Sequence, residues 1–197
     1  MTSILLVRHA AHDWLGKGLA GRLPGVGLDE SGHAQAQALA RRLDGTPMDA
    51  VYSSPQQRAL ETAAPLCARR GFKAVVEAGV DEIDFGRWTG MRFEELAQEP
   101  LWETWVRRRG VATPPGGEPF AAVAQRAREA LERLALQHPE QTVLVVSHGD
   151  VIKALLAGFL GMSLDHLERF EIAPASLSVV AAGPGWSQVR LVNGPTS

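Results

Sequence analysis

An arginine and a histidine stand side by side directly after a short apolar segment near the start of the chain. Residues 3–7 read Ser-Ile-Leu-Leu-Val, and Arg8 and His9 follow them. The run is too short for a helix and is typical of a strand buried on both faces of a parallel sheet. Charge is costly to bury without a partner, and ligands of open α/β sheets bind at the carboxyl ends of strands. The pair therefore indicates a ligand site, with a turn that happens to carry Arg and His as the alternative.

Two later segments strengthen this interpretation. Residues 142–146 form a second apolar, β-branched run that ends at Ser147 and His148, and Gly149 allows a tight turn into a following helix. If the two strands are neighbours, His9 and His148 face each other across one crevice. Arg58 falls one turn into a predicted helix, where it is either solvated or a second guanidinium clamp facing an anion.

Together these residues resemble the histidine phosphatase superfamily, which includes cofactor-dependent phosphoglycerate mutases and many small phosphatases. The matching segments occur in the family's order and are residues 6–9, 53–59, 62–63, 81–82, 85–90 and 147–149. Residues 115–118, Pro-Gly-Gly-Glu, resemble the phosphatase branches more than the mutases. The resemblance implies a phosphohistidine intermediate, no metal and no cofactor.

Phosphate ester chemistry gives each of these residues a role. His9 can be the nucleophile if its reacting nitrogen is unprotonated, which a reference pKa of about 6.5 permits near neutrality. The guanidinium groups of Arg8 and Arg58 match phosphate geometry. His148 can donate a hydrogen bond to a phosphoryl oxygen and stabilise charge in the transition state. The resemblance implies these same roles for these positions.

The resemblance also makes Glu82 the acid that protonates the leaving group. This role requires a proton near neutral pH, and hence a partly apolar pocket or nearby negative charge. Phe85 and Trp88 are candidates for that pocket. Asp81 and Asp84 are the competing candidates for the acid, although we expect both to belong to a solvated acidic loop.

The chain departs from the family pattern after His9. Ala10 stands where the family usually has Gly, and His12 and Leu15 replace a small hydroxyl residue and an Asn that help to bind phosphate. Either His12 or Lys17 could substitute in that shell, with a surface histidine as the alternative. Besides Arg8, Arg58 and His148, the predicted substrate-binding residues are Arg22, His12 and Gly149.

The whole chain alternates predicted strands and helices. Strands are predicted at about 3–7, 49–52, 74–77, 142–147, 171–172, 177–181 and 188–192; helices at about 31–43, 55–70, 93–109 (interrupted by Pro100), 120–137 and 149–160. This alternation predicts an α/β fold: a three-layer α/β/α sandwich whose mostly parallel sheet has an antiparallel edge and helices on both faces. We expect a single domain over residues 1–197, with a partial cap segment near 86–118.

Composition excludes several classes of protein. The 197 residues are 45% hydrophobic and 21% charged, as in soluble globular proteins, and the net charge of −2 favours neither nucleic acid nor an anionic membrane as a partner. Cys67 is the only cysteine, so no internal disulfide is possible. Neither a secretory signal nor a membrane span is recognisable, which predicts a cytoplasmic protein. The oligomeric state stays open, with a homodimer as one alternative.

The predicted function is hydrolysis of a small phosphorylated metabolite. The alternatives are phosphoglycerate mutase-type phosphoryl transfer and a weakly active phosphoester-binding protein. A metallohydrolase is a further rival, because His9, His12, Asp13, His148 and Asp150 are metal-ligand types. Arg8 and Arg58 argue against it, since they would place positive charge beside a cation.

Overall fold

A computed structural model describes residues 1–195 and contains six strands and six α-helices. The strands are β1 (Thr2–Arg8), β2 (Ala50–Ser53), β3 (Val75–Val76), β4 (Thr142–Ser147), β5 (Leu177–Gly183) and β6 (Trp186–Gly194). The helices are α1 (Glu30–Arg42), α2 (Gln57–Arg70), α3 (Phe93–Leu96), α4 (Trp102–Arg107), α5 (Phe120–Gln137) and α6 (Gly149–Phe159). Three 3-10 turns cover Ala78–Val80, Gly86–Trp88 and Leu164–Arg169.

All six strands belong to one sheet in the order β3-β2-β4-β1-β5-β6. The four strands β3, β2, β4 and β1 are parallel to one another, whereas β5 is antiparallel to both β1 and β6. The predicted parallel sheet with an antiparallel edge is therefore confirmed. The hairpin between β5 and β6 turns at Pro184 and Gly185, and Gly185 has a φ of 74°, which glycine adopts without strain.

Successive side chains of β1 point to opposite faces of the sheet, and both faces are covered by helices. Ile4 and Leu6 belong to a core that includes α5 and α6, whereas Leu5 and Val7 pack with α1 and α2. The three-layer α/β/α arrangement is confirmed. Because β1 is buried on both sides, a ligand can reach it only at its ends.

Three predicted elements differ in the structure. The predicted strand at 171–172 is wrong, because β4 and β5 already occupy both edges of β1 and the Ile172 carbonyl accepts from Arg8 Nη1 at 2.6 Å. The predicted helix at 93–109 is two short helices, because Pro100 lacks an amide hydrogen and disfavours helix before it. The third strand shortens to the two residues of β3.

An aromatic cluster holds the segment near 86–118. The rings of Trp88 and Trp105 meet nearly edge to face, with centroids 6.2 Å apart, and Trp105 also contacts Phe85 and Phe120. An isolated β-bridge joins Arg92 to Gly18, so this segment is also attached to the loop that follows β1. Along residues 1–195, no helix has the length and apolar character needed to cross a bilayer.

Candidate active site

His9 and His148 meet because the strands that precede them are neighbours. Arg8, the last residue of β1, is in register with Ser147, the last residue of β4. The two histidines that follow are both buried, and their ring centroids lie 5.1 Å apart. The crevice inferred from the sequence is thus present at the carboxyl ends of the parallel strands.

The tautomer of His9 follows from its own backbone neighbourhood. Its Nδ1 lies 2.8 Å from the carbonyl oxygen of Ala10, so Nδ1 carries the hydrogen and Nε2 keeps a free lone pair. Burial lowers the pKa of His9 well below its usual value, and the positive charges of Arg58 and Arg8 lower it further. The imidazole is therefore neutral and nucleophilic at neutral pH.

Two buried guanidinium groups stand beside His9 with unused N–H groups. Arg58 Nη2 donates to the carbonyl of Gly21 at 2.8 Å, and Arg8 Nη1 donates to Ile172. Within residues 1–195, Nε and Nη1 of Arg58 and Nε of Arg8 are buried without a hydrogen-bond partner. Unsatisfied buried donors are costly, so these three groups indicate a site for an anion.

His148 is fully buried, and each of its two ring nitrogens makes a hydrogen bond. Its Nε2 is 2.7 Å from Ser54 Oγ, and Ser54 Oγ donates to Asp81 Oδ1 at 3.0 Å, so Nε2–H must be the donor to Ser54. Its Nδ1 accepts from Arg58 Nη2 at 3.2 Å. Donation from His148 to a phosphoryl oxygen would therefore require a proton on Nδ1, whereas here Nδ1 orients Arg58.

Glu82 brings a carboxyl group to the same point. Its Oε2 lies 3.4 Å from His148 Nδ1 and 3.6 Å from Arg58 Nη2, and its side chain keeps 13% of its surface exposed. Burial raises the pKa of Glu82 to about 7, against the opposing effect of Arg58. Phe85 and the buried Trp88 lie close in sequence, and Phe85 lines the same cavity. The environment required for a neutral-pH acid is present.

The two neighbouring aspartates differ from each other. Asp81 is buried and accepts hydrogen bonds from Ser54, from Gln56 Nε2 at 2.9 Å and from the amide of Glu82 at 2.7 Å. The expectation that Asp81 is a solvated loop residue is wrong, because these three donors hold it inside. Asp84 is 47% exposed and caps the amide of Gly86, which agrees with a solvated loop.

Arg22 holds the loop of Glu82 instead of lining the cavity. Its Nε donates to the carbonyl of Glu82 at 2.9 Å, and its guanidinium pairs with Asp81 and Glu118. Arg126 of α5 donates to the carbonyls of Gly79, Asp81 and Glu82 and also pairs with Glu118. Arg22 does not line the cavity and its guanidinium is paired with these carboxylates, so its contact with substrate stays a prediction.

Arg8, His9, Arg58 and Glu82 line a cavity of about 280 Å³. His12 lines it, with its ring centroid 5.0 Å from that of His9. His12 Nδ1 accepts from the amide of Trp14 at 3.2 Å, so Nε2 carries the hydrogen. Burial, together with Arg58 and Arg8, lowers the pKa of His12 to about 4. His12 is thus a neutral hydrogen-bond donor, whereas the other candidate, Lys17, is exposed and outside the lining.

Gly149 lines the cavity at the first turn of α6. A Cβ atom at this position would lie 3.1 Å from Arg8 Nε, so glycine leaves room for the guanidinium. Sequence reasoning missed several further lining residues, which are Trp14, Phe93, Asp150, Lys153 and Glu171. For Lys153 a signal existed, since it is a lone charge inside the apolar helical run at 151–157.

One group of side chains in residues 1–195 has the composition of a metal site. The ligand atoms of His9, Glu82 and His148 all lie within 4.8 Å of one another. Two other proposed metal ligands are not part of it: Asp150 pairs with Arg109 at 2.8 Å, and Asp13 is exposed. A cation in this group would stand against Arg58, which contacts both Glu82 and His148. The donor set fits a metal poorly for this reason.

Comparison with known proteins agrees with the geometry. The family model for the histidine phosphatase superfamily (branch 1) matches residues 4–194. The chain is 34% identical over 182 residues to phosphoserine phosphatase 1 of Hydrogenobacter thermophilus, covering 91% of this chain and 86% of that protein. It is 35% identical over 164 residues to the metal-independent phosphoserine phosphatase of Arabidopsis thaliana, covering 79% and 67% of the two chains.

The fold has a close counterpart among solved structures. Bacillus stearothermophilus YhfR superposes with a TM-score of 0.93 at 30% identity, covering 99% of this chain and 98% of that one. The family match spans both histidines, both buried arginines and Glu82. A phosphoric monoester hydrolase requires a nucleophile, an anion clamp and a proton donor, and the cavity supplies all three. The chain belongs to the histidine phosphatase superfamily.

Proposed function

We propose that this protein hydrolyses small phosphate monoesters in two steps through a phosphohistidine on His9. Nε2 of His9 forms a bond to phosphorus while the ester P–O bond breaks, and Glu82 gives its proton to the leaving oxygen. Water then attacks phosphorus, Glu82 takes a proton from that water, and inorganic phosphate leaves with His9 restored. The observation that carries this proposal is a neutral His9 in one cavity with Arg8 and Arg58, whose buried N–H groups lack partners.

The surrounding residues divide the binding of the phosphoryl group. Arg8 and Arg58 supply the positive charge, and their free N–H groups match the equatorial phosphoryl oxygens. Gly149 leaves the space beside Arg8 open. The neutral Nε2–H of His12 takes the place of the family's hydroxyl and amide donors.

His148 acts on its neighbours in the resting site. It accepts from Arg58 and lies against the carboxyl group of Glu82, so it fixes both groups at the reacting centre. If substrate oxygens draw the N–H groups of Arg58 away, a proton on Nδ1 can stabilise the phosphoryl charge. Ser54 and Asp81 hold the ring in place from behind.

Replacement of His9 tests the proposal. His9→Ala removes the atom that must bond to phosphorus, and positioning by Arg8 and Arg58 cannot replace it. Turnover of p-nitrophenyl phosphate should disappear while the circular dichroism spectrum stays unchanged. Quenching the wild-type enzyme during turnover of a labelled ester should trap acid-labile phosphate on the protein, and the variant should trap none. Activity close to that of wild type in His9→Ala would rule out the nucleophile.

Metal independence is part of the same proposal. Two guanidinium groups already supply the positive charge that a metal ion would bring. Prolonged chelation should therefore leave the rate unchanged, and added divalent ions should not raise it. Loss of activity on chelation, restored by one divalent ion, would favour the metallohydrolase alternative at His9, Glu82 and His148.

The substrate is a small molecule in this proposal, because the cavity holds only about 280 Å³. The cavity admits the phosphoryl group and a short organic part, and Trp14, Phe93 and residues of α6 belong to its lining. A cytoplasmic location remains a prediction. Transfer of the phosphoryl group to water, seen as release of inorganic phosphate, would distinguish the phosphatase from a mutase, which transfers it to a second metabolite.

A further inference from the structure

Lys153 places a positive charge in the lining of the cavity that contains His9. It belongs to α6, four residues after Gly149, and both residues line the cavity. Residues four apart share a helix face, separated by about 6 Å along the axis. Long side chains on a helix lean towards its N-terminus, which for α6 is the end at the cavity. The ammonium of Lys153 therefore lies on the face of α6 that carries Gly149 and lines the cavity.

This ammonium has no anionic partner of its own. Among residues 1–195, Lys153 Nζ makes no hydrogen bond and no ion pair within 4.0 Å, and it lies 5.9 Å from the centroid of the Phe170 ring. The neighbouring carboxylate, Asp150, is occupied by Arg109 at 2.8 Å. Glu171 also lines the cavity but is exposed and too far from Lys153 for an ion pair.

Arg8 is a second basic residue of the cavity lining near Lys153. Burial lowers the pKa of Lys153, Arg109 and Arg8 lower it further, and Asp150 and Glu171 oppose them. A half-buried cation with incomplete compensation is costly. A ligand anion at the same place would offset that cost.

We propose that Lys153 binds a second anionic group of the substrate, so that the enzyme prefers phosphate esters carrying a carboxylate or a second phosphate. The inference rests on the proposed function, because it assumes that the ester phosphate occupies the site of Arg8 and Arg58. The inference adds Lys153, as a specificity-determining residue, to the lining of the same cavity. The separation of Gly149 and Lys153 suits a second anion only a few bonds away from the ester oxygen.

Matched substrates test this role. O-Phosphoserine and O-phosphoethanolamine differ by one carboxylate, as do 3-phosphoglycerate and glycerol 3-phosphate. Lys153→Met keeps most of the side chain's bulk but removes the charge, so kcat/KM should fall about 10- to 100-fold for the carboxylated member of each pair, the worth of a charged hydrogen bond. The member without the carboxylate should be unaffected. Fructose 1,6-bisphosphate against fructose 6-phosphate tests a second phosphate in place of a carboxylate.

Two further variants separate local binding from general charge. Lys153→Arg keeps a cation and should retain most of the preference for the second anion. Lys73→Met removes an exposed lysine distant from the cavity and should leave the preference intact. A preference that disappears equally in Lys73→Met would reflect net charge and would overturn the assignment.

The outcome also distinguishes this inference from the proposed function. Equal losses on both members of each pair in Lys153→Met, or a wild-type enzyme with no preference for a second anion, would overturn the role of Lys153 while phosphatase activity stands. Absence of turnover for every ester, with no phosphate trapped on His9, would instead overturn the proposed function itself.

Discussion

The carboxyl group of Glu82 keeps its proton up to about pH 7 because burial opposes ionisation more strongly than Arg58 favours it. The same group can therefore give a proton to a leaving oxygen and, once ionised, take one from water. Its Oε2 lies within 3.6 Å of both Arg58 Nη2 and His148 Nδ1, so the acid and the anion clamp are parts of one cluster.

Replacing Glu82 with Gln should have an effect that depends on the leaving group. Glu82→Gln keeps the shape but removes the transferable proton, so alkyl phosphates should slow by roughly 10²–10⁴-fold. An aryl phosphate leaves without much help and should slow much less. In the wild type, kcat/KM for the alkyl ester should fall as pH rises through about 7, and that fall should be absent from the variant. Steady-state kinetics over pH 5–9 with both esters would show this.

Asp84→Asn is the matched control, since the half-exposed Asp84 side chain caps Gly86 and makes only a long ion pair of 3.9 Å with Arg22. It should change neither ester's rate substantially. The assignment of Glu82 fails if Glu82→Gln slows both esters equally, or if the leaving-group-dependent loss appears in Asp84→Asn instead.

At the scale of elements, α5 holds the acid loop against the sheet. Arg126 of α5 donates to three loop carbonyls, those of Gly79, Asp81 and Glu82, the last at 3.1 Å. Glu118, just before the helix, accepts from Arg126 and from the amide of Asp84. Because the guanidinium of Arg126 binds these three carbonyls, the position of Glu82 depends on α5.

Arg126→Met should therefore displace Glu82 without touching the nucleophile. Small displacements of a reacting group can reduce rates by about 100-fold, so alkyl ester turnover should fall strongly and aryl ester turnover less. Phosphorylation of His9 by the aryl ester should persist. Arg128→Met, on the exposed side of the same helix, removes a surface pair with Glu132 and a long hydrogen bond to Gln125, and it should have little effect. Equal loss for both esters in Arg126→Met would mean that the whole site had collapsed.

At the scale of the whole molecule, the buried histidines should make the fold sensitive to acid. Burial lowers the pKa values of His9, His12 and His148. As pH falls below about 6.5, these histidines therefore bind protons in the unfolded chain but stay neutral in the folded chain. Stability is then lost as pH falls. Glu82, whose folded pKa is raised, acts in the opposite direction between about pH 4.5 and 7.

The free energy of unfolding should accordingly decrease from pH 7 to pH 5, by at most about 3 kcal/mol per pH unit, since three imidazoles oppose one carboxyl group. Urea denaturation at pH 7, 6 and 5 measures the slope. His12→Asn removes one of the three imidazoles and should reduce that slope by about 1.4 kcal/mol per pH unit. Stability that is constant or higher at pH 5 would contradict this account.

The sequence by itself determined the elements and the residues that follow them. The β4 strand and α5 have the bounds that were predicted, because an apolar β-branched run and a regular helical period are local signals. The histidines after two apolar runs predicted a crevice, because parallel neighbouring strands carry their carboxyl ends to one edge of the sheet. The proton on Glu82 was predicted conditionally, on the basis of Phe85 and Trp88.

Only the tertiary structure decided which charges face the cavity and which are matched elsewhere. Arg22 and Asp81 lie in the predicted segments, yet their side chains pair with each other and with groups from other parts of the chain. Lys153 lines the cavity, and its position as a lone charge in the apolar run at 151–157 does not show what that charge faces. Ion pairing and burial depend on groups far apart in the sequence. Local periodicity therefore predicts the helix or strand to which a residue belongs, but not the partner of its charged group.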